Sequence, residues 1–295
     1  MNIKDFKPID VWVNAYEPKA AEKMIEHPEM EYVMKVEKAD PHLFSLTTEE
    51  LVAEMDEAGV DVAFISQMQQ GHTFRMGSGY SSNRMSLEFS YKHGLIYTEK
   101  YPNRFRLLYG INPWKMMEGV KELETAVKEY GFVGAVSHVA SFAPFNDKIW
   151  YPFYAKCCEL DVPIISQIGH MGEVMPQGSG RPLYIDEVAL HFPELRIVAG
   201  HTGWPWCDEL ISIALKNPNV YISMEAHLPR YWDASLAKYI DTRGRDKCLW
   251  GTDFPITRPQ KNLDQVAQLG YREETLKAFL RNNTIRVFKL DIPTV

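Results

Sequence analysis

The sequence predicts a (β/α)8 barrel of the TIM type, and three observations carry that prediction. Short apolar runs of β character recur along the 295 residues, helical patterns lie between them, and no glycine-rich phosphate fingerprint follows the first run. Alternation of this kind builds a parallel sheet, and eight such runs are the number that closes a barrel. The runs are Ile9–Asn14, Val62–Gln67, Phe105–Asn112, Phe132–His138, Ile164–Gln167, Ile197–His201, Val220–Glu225 and Cys248–Asp253. Among the helices, Thr48–Ala58 shows a threonine cap, an acidic first turn and Gly59 as its stop, and Lys115–Tyr130 and Tyr151–Leu160 repeat the amphipathic pattern. Two connections are longer than a barrel needs: residues 15–46 after the first run, and residues 68–86, with Gly71, Gly77, Gly79 and paired serines, after the second. Long connections at this face form lids or substrate walls. No repeat, low-complexity tract or linker interrupts the chain, so one barrel domain spanning residues 1–295 is expected.

Composition narrows the function classes. Hydrophobic residues make up 45% and charged residues 24%, the balance of a soluble globular protein with a sizeable core. The net charge of −7 comes without a basic stripe, which disfavours nucleic acid as a partner. Met1–Pro8 lacks an apolar h-region, and no run of about 18 apolar residues occurs, so a cytoplasmic protein without a membrane partner is expected. Cys157, Cys158, Cys207 and Cys248 show no CxxC spacing and read as reduced structural thiols. A small-molecule substrate is the expected partner, with homo-oligomerisation left open.

The ends of the runs carry the candidate chemistry. In an α/β barrel the residue at the C-terminal end of a strand faces the active-site mouth. Arg196–Trp206 contains an apolar run stopping on His201, and Leu249–Pro255 one stopping on Asp253. His72, His138, His170 and His227 also fall at strand ends or in mouth loops, and Gln67, Asn112, Gln167 and Glu225 reach the same rim. A lone strand-end histidine often only packs; five on one rim, beside carboxylates, point to proton transfer. Trp12, Trp114, Trp150, Trp204, Trp206 and Trp232 lie near strand ends or in loops, an arrangement that suits a planar substrate as well as core packing. Arg75, Arg84 and Arg181 lie in mouth loops, where a guanidinium matches a carboxylate or phosphate.

These motifs resemble the amidohydrolase superfamily, in particular the amidohydrolase-related branch similar to aminocarboxymuconate semialdehyde decarboxylase. The resemblance is densest from Trp150-Tyr-Pro-Phe-Tyr-Ala-Lys to Phe254-Pro255, through Ile185–Trp206 and Asn217-Pro-Asn-Val-Tyr-Ile, and weaker over the first half. It implies a (β/α)8 barrel that cleaves C–N, C–O or C–C bonds, usually with one divalent metal at the mouth. It also implies that His201 shuttles protons and that Asp253 binds metal and activates water. The departures are specific. Where the family has a His-x-His pair on strand one, this chain has Trp12 and Asn14 in Ile9-Asp-Val-Trp-Val-Asn14, and the strand-five ligand position holds Gln167, with His170 three residues on.

Catalytic zinc takes about three His, Cys or carboxylate ligands plus water. At most His170, His201 and Asp253 can be assembled here, with Asn14 and Gln167 as weak neutral oxygens, so a weakly held divalent metal such as zinc and a metal-free site both stay open. The leading reading is a hydrolase that uses activated water on a small aromatic or unsaturated acid-derived substrate, breaking a C–C, ester, lactone or amide bond. His201, Asp253 and His170 are its catalytic candidates. Trp12, Asn14, Gln167, His138, Glu225, Arg75, Arg181 and Trp204 are its substrate-binding candidates. The rival is a non-hydrolytic decarboxylase or C–C lyase of an aromatic or muconate-type acid, and a third reading is a barrel that binds a ligand without turning it over.

Overall fold

The computed structural model describes residues 2–16, 18–26, 28–66, 90–172 and 177–295. Its strands are β1 Ile9–Val13, β2 Val62–Ser66, β3 Phe105–Gly110, β4 Gly134–His138, β5 Ile164–Gln167, β6 Ile197–Gly200, β7 Val220–Ser223 and β8 Cys248–Leu249. All pair in parallel in sequence order, the arrangement expected of a (β/α)8 barrel. The helices are α1 Pro18–Ile25, α2 Pro28–Glu37, α3 Thr48–Ala58, α4 Leu95–Lys100, α5 Met116–Tyr130, α6 Tyr151–Leu160, α7 Leu183–His191, α8 Cys207–Lys216, α9 Ala234–Ile240, α10 Pro259–Val266 and α11 Glu273–Lys277. A π-turn, Ala278–Asn282, leads from α11 into α12, Asn283–Phe288. Among the described residues no helix is long and apolar enough to cross a membrane.

The apolar runs are buried on both faces, as parallel strands covered by helices must be, and their side chains divide with period two. One cluster gathers Val62, Phe64, Leu108, Val136, Ile165, Val198 and Leu249 with Phe288 and Leu290. Their strand neighbours Ala63, Ile65, Leu107, Tyr109, Ala135, Ile164 and Ile197 join the cluster that includes helix residues such as Leu123, Tyr154 and Leu210. A register shift in β1 between Asp10 and Val13 breaks this alternation, and Trp12 joins Ile9 and Val11 in the first cluster. Such irregularities re-aim side chains beside functional sites.

The barrel closes between β1 and the segment after β8. Val11 N–H donates to Trp250 O at 3.3 Å, Asp253 N–H to Trp12 O at 3.0 Å and Asn14 N–H to Phe254 O at 2.8 Å. The predicted run to Asp253 is therefore regular strand only to Leu249, because Trp250 N–H turns away to Phe279 O at 3.1 Å. Buried Asp10 reinforces the seam: its Oδ1 accepts from Thr252 N–H at 2.9 Å and from Trp12 N–H at 3.2 Å, and its Oδ2 accepts from the Thr252 hydroxyl at 2.5 Å.

The remaining expectations separate by locality. Helix α3 carries a full capping box between Thr47 and Glu50 and stops at Gly59, whose φ of 78° suits a residue without Cβ. The long segment after β1 folds into α1, α2 and a 3-10 turn over Pro41–Ser45. Residues 68–86, the other long connection, lie outside the described residues. Cys157, Cys207 and Cys248 are buried free thiols, and burial pushes all three above the usual thiol range, Cys207 to about 11.

Candidate active site

The segments just after β6, β7 and β8 hold four of the left-handed non-glycine residues. His201, Thr202, Ala226 and Asp253 hold φ values of 61°, 60°, 68° and 59°. Left-handed geometry costs a non-glycine residue about 1–3 kcal/mol and clusters at functional sites; for β-branched Thr202 it is an outlier. Neighbouring groups hold these turns in place. His201 N–H donates to Glu225 Oε2 at 2.8 Å, and the Thr202 hydroxyl donates to His201 O at 2.6 Å. The consequence for His201 is that β6 ends at Gly200 and the imidazole starts a short turn, His201–Gly203, aimed at the residues after β8.

His201 Nε2 lies 3.4 Å from Asp253 Oδ2, and Nδ1 lies 3.8 Å from Glu225 Oε2. The edge of the Trp12 ring meets the imidazole at 4.8 Å between centroids. On the far side of Asp253, Asn14 Nδ2 donates to Oδ1 at 2.7 Å, and Trp12 Nε1 donates to Asn14 Oδ1 at 3.1 Å. Beneath this row, burial pushes the Glu225 carboxyl up while the adjacent His201 ring opposes the shift. Burial likewise raises Asp10 to about 7, against the hydrogen bonds it accepts from Thr252 and Trp12. His227 moves the other way: burial, with His201 and His170 nearby, holds it down to about 4, so it is a neutral imidazole near neutral pH.

A cavity of about 750 Å3, counted to its solvent-filled mouth, opens above the pair. Its polar residues include Asn14, Gln167, His170, His201, His227 and Asp253. The lining also includes Tyr16, Met24, Met30, Val33 and Phe44 from the segment after β1, with Glu37 from the same segment. The sequence marked residues 15–46 as a connection long enough to form a lid or substrate wall, and this segment does line the cavity, although its individual lining residues were not singled out. Site reasoning on the sequence missed Asp10, visible as a charged residue inside an apolar run.

Several predicted contacts are placed elsewhere. Arg181 is half exposed and forks onto Glu209 at 3.0–3.3 Å, outside the cavity lining. His138 is fully buried; Ser141 N–H donates to its Nδ1 at 3.1 Å, which leaves the ring proton on Nε2 and makes it the anchor of a turn. Glu225 is fully buried under His201, and Trp12 is buried beside it, so neither reaches the cavity wall. Trp204 sits half exposed between His170 and His227, at centroid distances of 5.3 and 6.0 Å. Trp150 and Trp232 pack in the core, the alternative the sequence left open for the tryptophans, and the described apolar lining holds Tyr16 and Phe44 with Met24 and Met30, whose side chains adapt to irregular shapes. Gln67, His72, Arg75 and Arg84 lie outside the described residues.

Among the described residues the donor set does not suit a resident divalent ion. Among the described residues no three His, Cys, Asp or Glu side chains gather as a ligand group, so His170, His201 and Asp253 do not form the metal set the sequence allowed. His170 turns instead toward Gln177, Nδ1 to Oε1 at 3.4 Å, and its backbone N–H donates to Trp204 O at 2.6 Å. Asp253 Oδ1 is taken by an amide hydrogen, and an indole nitrogen has no lone pair to offer.

A parallel (β/α)8 barrel whose strand ends bring an imidazole and a carboxylate to one walled cavity is the architecture of a barrel enzyme. This chain belongs to the amidohydrolase family: the family model Amidohydro_2, described as Amidohydrolase, matches residues 88–290. A 2-keto-4-carboxy-3-hexenedioate hydratase from Sphingobium sp. is 31% identical over 105 residues, a match covering 30% of this chain and 31% of the hydratase. The 5-carboxyvanillate decarboxylase of Novosphingobium aromaticivorans, solved with manganese and 4-hydroxy-3-methoxy-5-nitrobenzoic acid, superposes with a TM-score of 0.71 at 16% identity, covering 97% of each chain. The 2,6-dihydroxybenzoate decarboxylase from Rhizobium gives 0.69 at 17% identity, covering 96% of this chain and 99% of its own. At these identities the structural likeness establishes the shared fold.

Proposed function

We propose that this protein is an acid–base lyase that moves a proton to or from a carbon atom of a small aromatic or unsaturated carboxylic acid, with His201 as proton carrier and Asp253 as its partner. The carrying observation is the 3.4 Å approach of His201 Nε2 to Asp253 Oδ2 in a cavity lined by both polar and apolar side chains. A carboxylate beside imidazole sets its tautomer and stabilises the imidazolium, the form that delivers a proton. In decarboxylation, protonated His201 gives its proton to the ring carbon bearing the carboxylate. The C–C electron pair then returns to the ring, CO2 leaves, and imidazole regains a proton from solvent. The apolar part of the lining favours this course by drawing a carboxylate from water toward a neutral product. Water addition to a C=C bond uses the same proton at carbon. The named relatives, two decarboxylases and a hydratase, support a lyase before a hydrolase.

Hydrolysis is the second reading, favoured by Gln167 and His170 as neighbours able to hold a carbonyl while His201 takes a proton from water. It asks for a stabiliser of the tetrahedral oxyanion, and among the described lining residues there is no Lys or Arg. The test is a panel of hydroxybenzoates, unsaturated polycarboxylic acids and lactones, incubated with the protein in D2O and followed by NMR. The expected outcome is a new C–D bond accompanied by CO2 loss or water addition, with His201→Asn lowering turnover by about 100-fold or more at unchanged Tm. Ester, lactone or amide cleavage without a C–D bond, or near-normal turnover in a folded His201→Asn variant, overturns the reading.

A further inference from the structure

We infer that Trp12 and Asn14 form a hydrogen-bond relay in the place a metal ion would take, and that they are positioning residues holding Asp253 for His201. The inference rests on the His201–Asp253 pair proposed above, but it is carried by the directions of two hydrogen bonds. An indole N–H can only donate, so the Asn14 atom it meets at 3.1 Å is the amide oxygen. That contact orients the amide, since oxygen and nitrogen of an asparagine are distinguished by their partners. Nδ2 is thereby turned onto Asp253 Oδ1 at 2.7 Å, as donor to acceptor. One carboxylate oxygen is thus held by an amide hydrogen, and the other remains to face His201 Nε2.

A cation on this side of Asp253 would find two N–H groups where it needs lone pairs. The relay supplies the restraint a bound ion would give the carboxylate without adding positive charge. The end-to-end row Trp12, Asn14, Asp253, His201 is assembled by the backbone pairs across the seam, Asp253 N–H to Trp12 O and Asn14 N–H to Phe254 O. It is sealed from water at one end, because Trp12 is fully buried while Asn14 reaches the cavity.

The test begins with wild-type protein, dialysed against chelator and titrated separately with Zn2+ and Mn2+ by calorimetry. No saturable site is expected; one equivalent bound in wild type and lost in Asp253→Asn overturns the inference. This arm needs no substrate, so its failure is distinct from failure of the proposed reaction. Asn14→Asp keeps the acceptor for Trp12 and replaces the amide hydrogens with a second carboxylate oxygen. Its unfolding temperature is expected to rise on adding Zn2+ or Mn2+ where wild type does not respond. A folded Asn14→Asp indifferent to both metals counts against the relay. Once a substrate is in hand, Trp12→Phe, with circular dichroism unchanged, is expected to lower kcat by roughly tenfold or more while leaving KM in place. An unchanged kcat in that variant would mean that the indole only packs.

Discussion

Replacing Asp10 by asparagine tests the seam beneath the site without any substrate. An unfolded aspartate titrates near 3.8, whereas burial raises Asp10 to about 7 in the folded chain. The native carboxyl therefore keeps its proton over a range in which the unfolded one releases it. Its contribution to stability is fully present below about pH 4 and is lost as pH climbs through 7, a total of about 4 kcal/mol. Asparagine preserves the Oδ1 acceptor for Thr252 N–H and Trp12 N–H but presents an amide N–H to the Thr252 hydroxyl, which already accepts from Phe254 N–H at 2.9 Å. Turning that hydroxyl proton elsewhere costs about 1 kcal/mol at all pH values. The assay is urea unfolding of both proteins from about pH 5 to pH 8, read as the wild-type minus Asp10→Asn difference so that other titrating groups cancel. Wild type should lose about 3 kcal/mol relative to the variant over that interval. A difference that stays level with pH would show Asp10 ionised throughout and refute the argument.

Three further outcomes are expected. His227, depressed to about 4 from 6.5, takes up its proton later than in the unfolded chain, so its contribution is present above 6.5 and is lost as pH falls toward 4, by up to about 3 kcal/mol. The wild-type minus His227→Gln difference should show this acid-side loss, opposite in sign to that of Asp10. Arg281 is buried and donates to Asp61 Oδ2 at 2.8 Å, Lys7 O at 2.7 Å and Pro293 O at 2.9 Å. Arg281→Met should cost about 3 kcal/mol in urea unfolding, and a cost below about 1 kcal/mol would mean the three acceptors are readily rehydrated. Gly169 has φ 97°, and an added Cβ would stand 2.5 Å from Trp204 O, so Gly169→Ala should push the β5 loop off the His201–Trp204 turn. About 2 kcal/mol or more of thermal stability should be lost, and an unchanged Tm would show that the turn gives way freely.

The sequence by itself determined the barrel. Helix-covered parallel strands are buried on both faces, so each is written locally as an apolar run, and caps such as Thr47 with Glu50 are set by residues three apart. It also determined that His201 and Asp253 stand past the ends of the sixth and eighth strands, because strand direction alone sends those positions to the mouth. Tertiary structure decided how they are used. Asn14 and Asp253 are 239 residues apart, and their hydrogen bond exists only because the seam closes β1 on the segment after β8. The stop of β8 at Leu249 depends on the carbonyl of Phe279, and the engagement of Arg181 depends on Glu209 of a different helix. Burial of His138 and Glu225 away from the cavity, and the methionine wall from α1 and α2, likewise come from packing between distant segments. A residue's type and its place on a strand are local properties. The partner that settles its protonation, tautomer and direction is chosen by contacts that form only when the whole barrel has closed.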